Sequence, residues 1–355
     1  MKIFRVGDAG PEVADVQQRL SGLGSMIDPS ELDGRFGPTT ERAVRDFQAR
    51  RNLRVDGLVG TDTWGQLVEA GWELGDRTLY LRSVAFRGDD VRVLQRNLNA
   101  LGFETGREDG VFGATTESAV RQFQRNIGDE PDGIVGPETV LALERLRPQT
   151  SGPSRSVVRE EESLRDMRVD IAGAIVAIDP GHGADDRGNT GPAGMAEADL
   201  TFAMATALAD ELAALGAKPA LLRSVHDDPS SADRARQANE LEAALCVSLH
   251  LNSGDPDAGG PTVYYFGNAH TRSPMGERLA QLILEGLEVD LGVRGSCERL
   301  TATLLRETRM PAVQVEPAFI TSEREGRMLA DPRFPRRVAR SIARGIATFL
   351  APPAG

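Results

Sequence analysis

Four histidines occur in the 355 residues: His182, His226, His250 and His270. Two follow short apolar runs. His182 comes after Ala174-Ile175-Val176-Ala177-Ile178 through Asp179-Pro180-Gly181, and His250 directly follows Leu245-Cys246-Val247-Ser248-Leu249. Such runs read as buried strands. Ligand sites in open α/β sheets gather beyond the carboxyl ends of the strands, so two imidazoles delivered there can share a metal ion. Glu197 stands just ahead of a helix expected near Leu200 and can swing back to the same rim. His182, Glu197 and His250 would supply three protein ligands and leave one position for water, the pattern of a catalytic zinc site. Glu316 ends a further run, Val313-Gln314-Val315, and reaches the same rim. A carboxylate beside an activated water is the expected general base. A plainer reading competes, because a lone histidine at a strand end is more often hydrogen-bonded structure than a ligand. His226, within Arg223-Ser224-Val225-His226-Asp227-Asp228, and His270, between Ala269 and Thr271, read as loop residues. Cys246 reads as buried in its strand and Cys297 as a loop residue. Neither has a histidine placed to serve as its base, so thiol catalysis is not expected.

The elements that position these residues alternate between two periodicities. Beyond the two strands already named, Pro219-Ala220-Leu221-Leu222, Thr262–Phe266 and Ala312–Val315 read as strands. Leu200, Met204, Leu208, Leu212 and Leu215 space a helix that ends at Gly216. Arg234–Ala243, Met275–Leu284 and Val338–Leu350 read as further helices. Alternation of this kind implies an α/β domain over residues 171–350 with a largely parallel or mixed sheet.

The first 146 residues carry an internal repeat. Asp33-Gly34-Arg35-Phe36-Gly37 returns as Asp109-Gly110-Val111-Phe112-Gly113, and Asp56-Gly57-Leu58-Val59-Gly60 as Asp132-Gly133-Ile134-Val135-Gly136. Between these turns, Ala43-Val44-Arg45-Asp46-Phe47-Gln48 matches Ala119-Val120-Arg121-Gln122-Phe123-Gln124. Val13, Val16, Leu20 and Leu23 are spaced as one face of a helix, as are Val91, Leu94, Leu98 and Leu101. Two copies are too few for a solenoid. The expected architecture is therefore two small all-α three-helix bundles, at 1–70 and 71–146, ahead of the α/β domain. Residues 147–170, rich in Pro, Ser, Gly and charge, read as a linker. The tail Ala351-Pro352-Pro353-Ala354-Gly355 reads as a frayed end.

Composition narrows the partners. The net charge is −12, with 53 acidic against 41 basic residues, which argues against nucleic acid and against anionic membrane surfaces. Aromatics are 5%, too few for an extended stacking platform. No apolar run is long enough to span a membrane. Two cysteines make no disulfide framework. The segment Met1–Asp8 lacks an apolar signal core, so the chain as encoded is expected to be cytoplasmic. Signal-independent export, or trimming of a longer chain, would instead place it at the cell wall.

The doubled Asp-Gly blocks and their Ala-Val-x-x-Phe-Gln helices resemble bacterial three-helix peptidoglycan-binding domains, over roughly residues 7–68 and 86–146. The bland alternative is that these residues only shape turns and core. Asp179-Pro180-Gly181-His182-Gly183 with Glu197-Ala198-Asp199-Leu200, Arg234–Asn239 with Ser248-Leu249-His250-Leu251-Asn252, and Leu305–Ile320 together resemble the zinc-dependent N-acetylmuramoyl-L-alanine amidases of the amidase-3 family. That resemblance implies that His182, Glu197 and His250 bind Zn2+ and that Glu316 is catalytic. It implies that the substrate is the amide between N-acetylmuramic acid and L-alanine in peptidoglycan or a muropeptide. Arg294 and Arg306 suit stem-peptide carboxylates, which Arg grips in a fork, with a surface ion pair as the alternative for each. Ala318 and Ser322 stand where many relatives have Gly and Asn, and Gly183–Gly191 is more polar than usual. A second reading remains beside the hydrolase: an amidase-like cytoplasmic regulator of wall-precursor synthesis that acts through a protein partner.

Overall fold

The computed structural model describes residues 3–27, 31–146, 170–191, 194–255, 257–268 and 271–351. The linker expected at 147–170 lies outside the described residues apart from Asp170, as do His270 and the tail beyond Ala351. The chain divides into two compact units, Met1–Arg159 with Asn268–Thr271, and Glu160–Gly267 with Arg272–Gly355.

The first unit holds α1 (Pro11–Gly22), α2 (Pro38–Arg51), α3 (Thr61–Glu69), α4 (Asp89–Leu101), α5 (Ala114–Ile127) and α6 (Pro137–Leu146). They form two three-helix bundles, one per repeat, each with its own core. The first core includes Val13, Val16, Leu20, Val44 and Phe47. The second includes the matching Val91, Leu94, Leu98, Val120 and Phe123. Under each Asp-Gly turn lies a buried glutamine. The Gly34, Gly57, Gly110 and Gly133 amides donate to the carboxamide oxygens of Gln17, Gln48, Gln95 and Gln124 respectively. The glutamine amides in turn donate to Arg35 O, Leu58 O, Val111 O and Ile134 O. All four glycines have φ of 74–77°, a region that side-chain-bearing residues avoid. The repeat's Asp-Gly and Gln signature is thus accounted for by turn architecture. A two-pronged ion pair joins the bundles: Arg51 Nη1 and Nη2 donate to Asp89 Oδ1 and Oδ2 at 2.9 and 2.6 Å.

The second unit is a three-layer α/β/α domain. Its strands are β1 (Ile175–Pro180), β2 (Lys218–Leu221), β3 (Leu245–Leu249), β4 (Thr262–Phe266), β5 (Ser296–Leu300) and β6 (Ala312–Glu316). Their order is β2-β1-β3-β6-β4-β5. The sheet is parallel except where β4 meets β6 antiparallel. The helices are α7 (Glu197–Ala214), α8 (Ser231–Glu240), α9 (Pro274–Leu291), α10 (Thr303–Glu307), α11 (Glu323–Leu329) and α12 (Phe334–Leu350). Strand alternation assigns the two faces. Val176, Ile178, Val247 and Leu249 pack with Met204, Leu208, Leu279, Ile283 and Ile342 of α7, α9 and α12. Ala177, Cys246 and Ala312 pack with Ala235, Ala238, Leu304 and Leu305 of α8 and α10. Cys297, expected in a loop, lies on β5 instead. Ser-Cys-Glu-Arg-Leu is too polar to show a strand period, and β5 is formed by pairing with β4 at the sheet edge.

Candidate metal centre

β1, β3 and β6 end on the same edge of the sheet, and the chemistry-bearing residues follow from those ends. β1 runs through Asp179-Pro180 into Gly181 and His182. His182 has φ of 61°, a left-handed conformation uncommon for a non-glycine residue. Glycine makes room on both sides. A Cβ on Gly181 would sit 2.4 Å from His250 Cε1, and one on Gly188 would sit 2.6 Å from His182 Cδ2. The two imidazoles therefore lie edge to face, with ring centroids 4.9 Å apart.

Glu197 is the first residue of α7 rather than a loop residue ahead of it, and it is fully buried. Its carboxylate meets the positive end of that helix. Oε1 lies 3.2 Å from His182 Nε2 and 3.3 Å from His250 Nδ1. It also accepts from Leu251 N at 2.9 Å. Oε2 accepts from Asn189 N and Nδ2 at 3.1 and 3.0 Å. One nitrogen from each imidazole and a Glu197 carboxylate oxygen, the atoms that could hold a metal ion, all lie within 4.8 Å of one another. Four-coordinate zinc, with bonds of ~2.0–2.1 Å to N and O, spaces neighbouring ligand atoms about 3.3 Å apart. Both separations from Glu197 Oε1 fit that spacing, so this donor set suits a small tetrahedral cation.

Asp186 completes the shell. Its Oδ2 lies 2.9 Å from His182 Nδ1, leaving Nε2 to face Glu197. Its Oδ1 accepts from Gly188 N at 3.0 Å. A carboxylate on the far nitrogen of a ligating histidine fixes ring orientation and tautomer. Burial opposes charge on His182, but its bonds to Asp186 and Glu197 outweigh burial and raise its pKa to about 9. Asp186 is lowered to about 2, chiefly by His182. Burial works against ionising Glu197, yet the two imidazoles hold it well below the usual carboxylate range.

Glu316 ends β6 and is also fully buried. β3 and β6 pair in parallel up to Leu249 and Val315, and His250 N donates to Val315 O at 3.0 Å. Glu316 therefore stands in register beside His250. Gln314 Nε2 donates to Glu316 Oε1 at 2.8 Å.

The two arginines fall in different places. Because β4 and β5 run opposite to β6, the segment entering β5 lies on the Glu316 edge. Arg294 stands there with its side chain 93% exposed, 3.3 Å from Glu288. Arg306 lies in α10, between the end of β5 and the start of β6, which is the opposite edge. It is buried, with Nη2 donating to Glu307 Oε1 at 3.1 Å. Arg306 thus starts from the edge opposite the one on which His182, His250 and Glu316 stand. His226 is exposed and lines an open, polar cavity of about 580 Å³ with Arg223, Asp227, Asp228 and Gln237. Burial raises the Cys246 thiol, and burial with Glu277 and Glu298 raises Cys297 to about 11. Neither cysteine is poised as a nucleophile.

Asp186 and Asn189 show in the sequence only as part of the unusually polar segment Gly183–Gly191. The polarity is now explained, since two of those residues hold His182 and Glu197. The available signal was a carboxylate four residues after the histidine of Asp-Pro-Gly-His.

Similarity to known proteins identifies the family. The N-acetylmuramoyl-L-alanine amidase profile matches residues 176–348, and the peptidoglycan-binding domain profile matches 9–67 and 87–143. The N-acetylmuramoyl-L-alanine amidase CwlM of Mycobacterium tuberculosis is 39% identical over 355 residues, covering 96% of this chain and 87% of that protein. The chain belongs to the N-acetylmuramoyl-L-alanine amidase family. This amidase also matches the amidase LytC of Bacillus subtilis, at 29% identity over 180 residues, which is 50% of this chain and 36% of LytC. Among solved structures, amidase AmiC2 of Nostoc punctiforme is 30% identical, with TM-score 0.46, covering 50% of this chain and 98% of that one.

Proposed function

We propose that this amidase hydrolyses the amide between the lactyl group of N-acetylmuramic acid and L-alanine in peptidoglycan. In this reading His182, Glu197 and His250 hold a zinc ion and Glu316 is the general base. The observation that carries it is the cluster itself: His182 Nε2 and His250 Nδ1 at 3.2 and 3.3 Å from Glu197 Oε1, with Glu316 in register beside His250. When bound, zinc supplies a Lewis acid that polarises the scissile carbonyl and brings the pKa of a water toward ~7. Glu316 takes the proton of the attacking water and returns it to the departing L-alanine nitrogen. Asp186 keeps the His182 ring turned so that Nε2 faces the ion. Arg294 is a candidate contact for a stem-peptide carboxylate. The two bundles would hold the enzyme on an insoluble polymer, raising the effective substrate concentration.

A second reading has one observation in its favour. Glu316 has no exposed surface, and a base that must meet a glycan strand needs an opening. In that reading the chain binds muropeptide without turnover and acts through a protein partner. Purified full-length chain with zinc and isolated peptidoglycan separates the two. Release of L-alanine amino groups that disappears with chelator and in Glu316→Ala supports the hydrolase. Stoichiometric zinc binding with no release supports the regulator.

A further inference from the structure

We infer that Arg223 and Arg234 are positioning residues that set the direction of the His182 imidazole and tie together the segments bearing all three ligands. The inference rests on the reading of His182, Glu197 and His250 as a metal site. Both arginines are buried, at 6% and 5% exposure, in a domain whose other arginines are mostly on the surface. They grip three successive carbonyls, at the end of β1 and in the turn that follows. Pro180 O accepts from Arg223 Nε and from Arg234 Nη1, both at 2.7 Å. Gly181 O accepts from Arg223 Nη2 at 3.2 Å. His182 O accepts from Arg234 Nη2 at 2.7 Å.

Each guanidinium also reaches a second segment. Arg223 Nη2 donates to Ala198 O at 3.0 Å, one residue beyond Glu197 in the first turn of α7. Arg234 Nη1 donates to Asp179 Oδ1 at 2.6 Å, while Asp179 Oδ2 accepts from Ser248 Oγ at 2.6 Å. Ser248 is two residues before His250 on β3. One connected set of bonds therefore runs behind the site, from the His182 turn to the Glu197 helix and to the strand that delivers His250.

The backbone explains why such a grip is needed. His182 sits at φ of 61°, where a non-glycine residue stays only if its surroundings hold it. Rotation of that peptide back toward an ordinary conformation would carry Cβ, and with it Nε2, away from Glu197. The bond from Arg234 to the His182 carbonyl opposes this rotation directly. Lysine cannot substitute, because one ammonium group cannot present a planar fork to several carbonyls at fixed angles.

The test uses the full chain with Arg223→Lys, Arg234→Lys and Arg234→Gln, and Leu287→Ala as a control. Leu287 is buried in α9 and away from this network, so its truncation lowers stability without touching the site. Zinc affinity is read by competition with a chromophoric chelator, and ligand geometry by the visible absorption of the cobalt(II)-loaded protein. Melting of the metal-free protein matches the variants for stability. The expected result is a 10–100-fold loss of zinc affinity in the arginine variants, with an altered cobalt spectrum. Leu287→Ala should keep wild-type values at a comparable loss of melting temperature. Wild-type affinity and spectrum in both lysine variants overturn the inference while leaving the metal site intact. Failure of the wild-type chain itself to bind one zinc overturns the metal reading and the inference with it.

Discussion

If the buried glutamines hold the Asp-Gly turns, replacing one should loosen its own bundle and little else. Gln124→Leu is the sharpest case. Gln124 is 2% exposed, and its carboxamide oxygen accepts from Gly133 N at 2.9 Å. Its amide donates to Asp132 Oδ1 at 2.8 Å and to Ile134 O at 3.0 Å. Leucine fills a similar volume but offers none of these bonds. Asp132 Oδ1 keeps its bond from Ile134 N, and Ile134 O keeps a longer one from Thr139 Oγ1. The Gly133 amide is the group left without its partner. An orphaned buried donor costs about 1–3 kcal/mol, and each of the other two lost hydrogen bonds about 1, so the substitution should cost about 3–5 kcal/mol. Hydrogen exchange read by mass spectrometry localises the effect. The opening free energy of α5 peptides should fall by that amount while peptides of β1, β3 and β6 stay unchanged. Gln122→Leu, on the exposed face of the same helix, should shift protection by less than about 0.5 kcal/mol. Unchanged α5 protection in Gln124→Leu would refute the structural account of the repeat signature and return those residues to the pool of ligand contacts.

Two further expectations follow from particular contacts. Gly188→Ala places a methyl group about where the His182 ring lies, 2.6 Å from Cδ2, at a φ of 66°; it should lower zinc affinity at least 10-fold, measured by chelator competition, with the bundles' melting unchanged. Burial opposes ionisation of Asp89, but Arg51 and then Arg92 hold its pKa below the usual value. A depressed carboxylate stabilises the folded state above its unfolded pKa, and this contribution is lost as pH falls through the folded one. Arg51→Met should therefore destabilise the first unit by about 0.5–1 kcal/mol at pH 7, and the two proteins should converge in stability as pH falls below the usual carboxylate range, as read by denaturant titration.

The legible parts of this chain are those in which one physical signal dominates. β3 and β4 appear in the sequence with their structural limits because Leu245–Leu249 and Thr262–Phe266 are apolar runs bounded by turns. α9 is longer than its apolar stripe suggests, extending to Leu291: Glu285 is exposed, Glu288 accepts from Gly295 N, and Asp290 accepts from Ser341 Oγ and Arg344 Nη2, so the acids are accommodated without breaking the helix. The edge strand β5 and the short helices α10 and α11 carry no periodicity of their own and exist through packing against neighbours. In the site, His182, Glu197, His250 and Glu316 stand at the ends or beginnings of legible elements, so topology brings them to one edge. Arg306 lies beside equally recognisable residues yet belongs to the opposite edge, because the reversal of β4 and β5 is not written in any local pattern. Asp186, Arg223 and Arg234 were illegible for another reason. Their roles consist of bonds to backbone carbonyls and to a histidine ring whose positions exist only after folding.

The central claim is that a zinc ion held by His182, Glu197 and His250 works with Glu316 on the muramoyl–alanine amide. Its most direct test is hydrolysis of a soluble muropeptide, followed by mass spectrometry, with wild-type and Glu316→Gln chains each loaded with one zinc. Glu316→Gln should bind zinc as the wild type does while its kcat falls by about 10²–10⁴-fold. A Glu316→Gln chain that turns over at the wild-type rate, or a zinc-loaded wild type that leaves the amide intact, would contradict it.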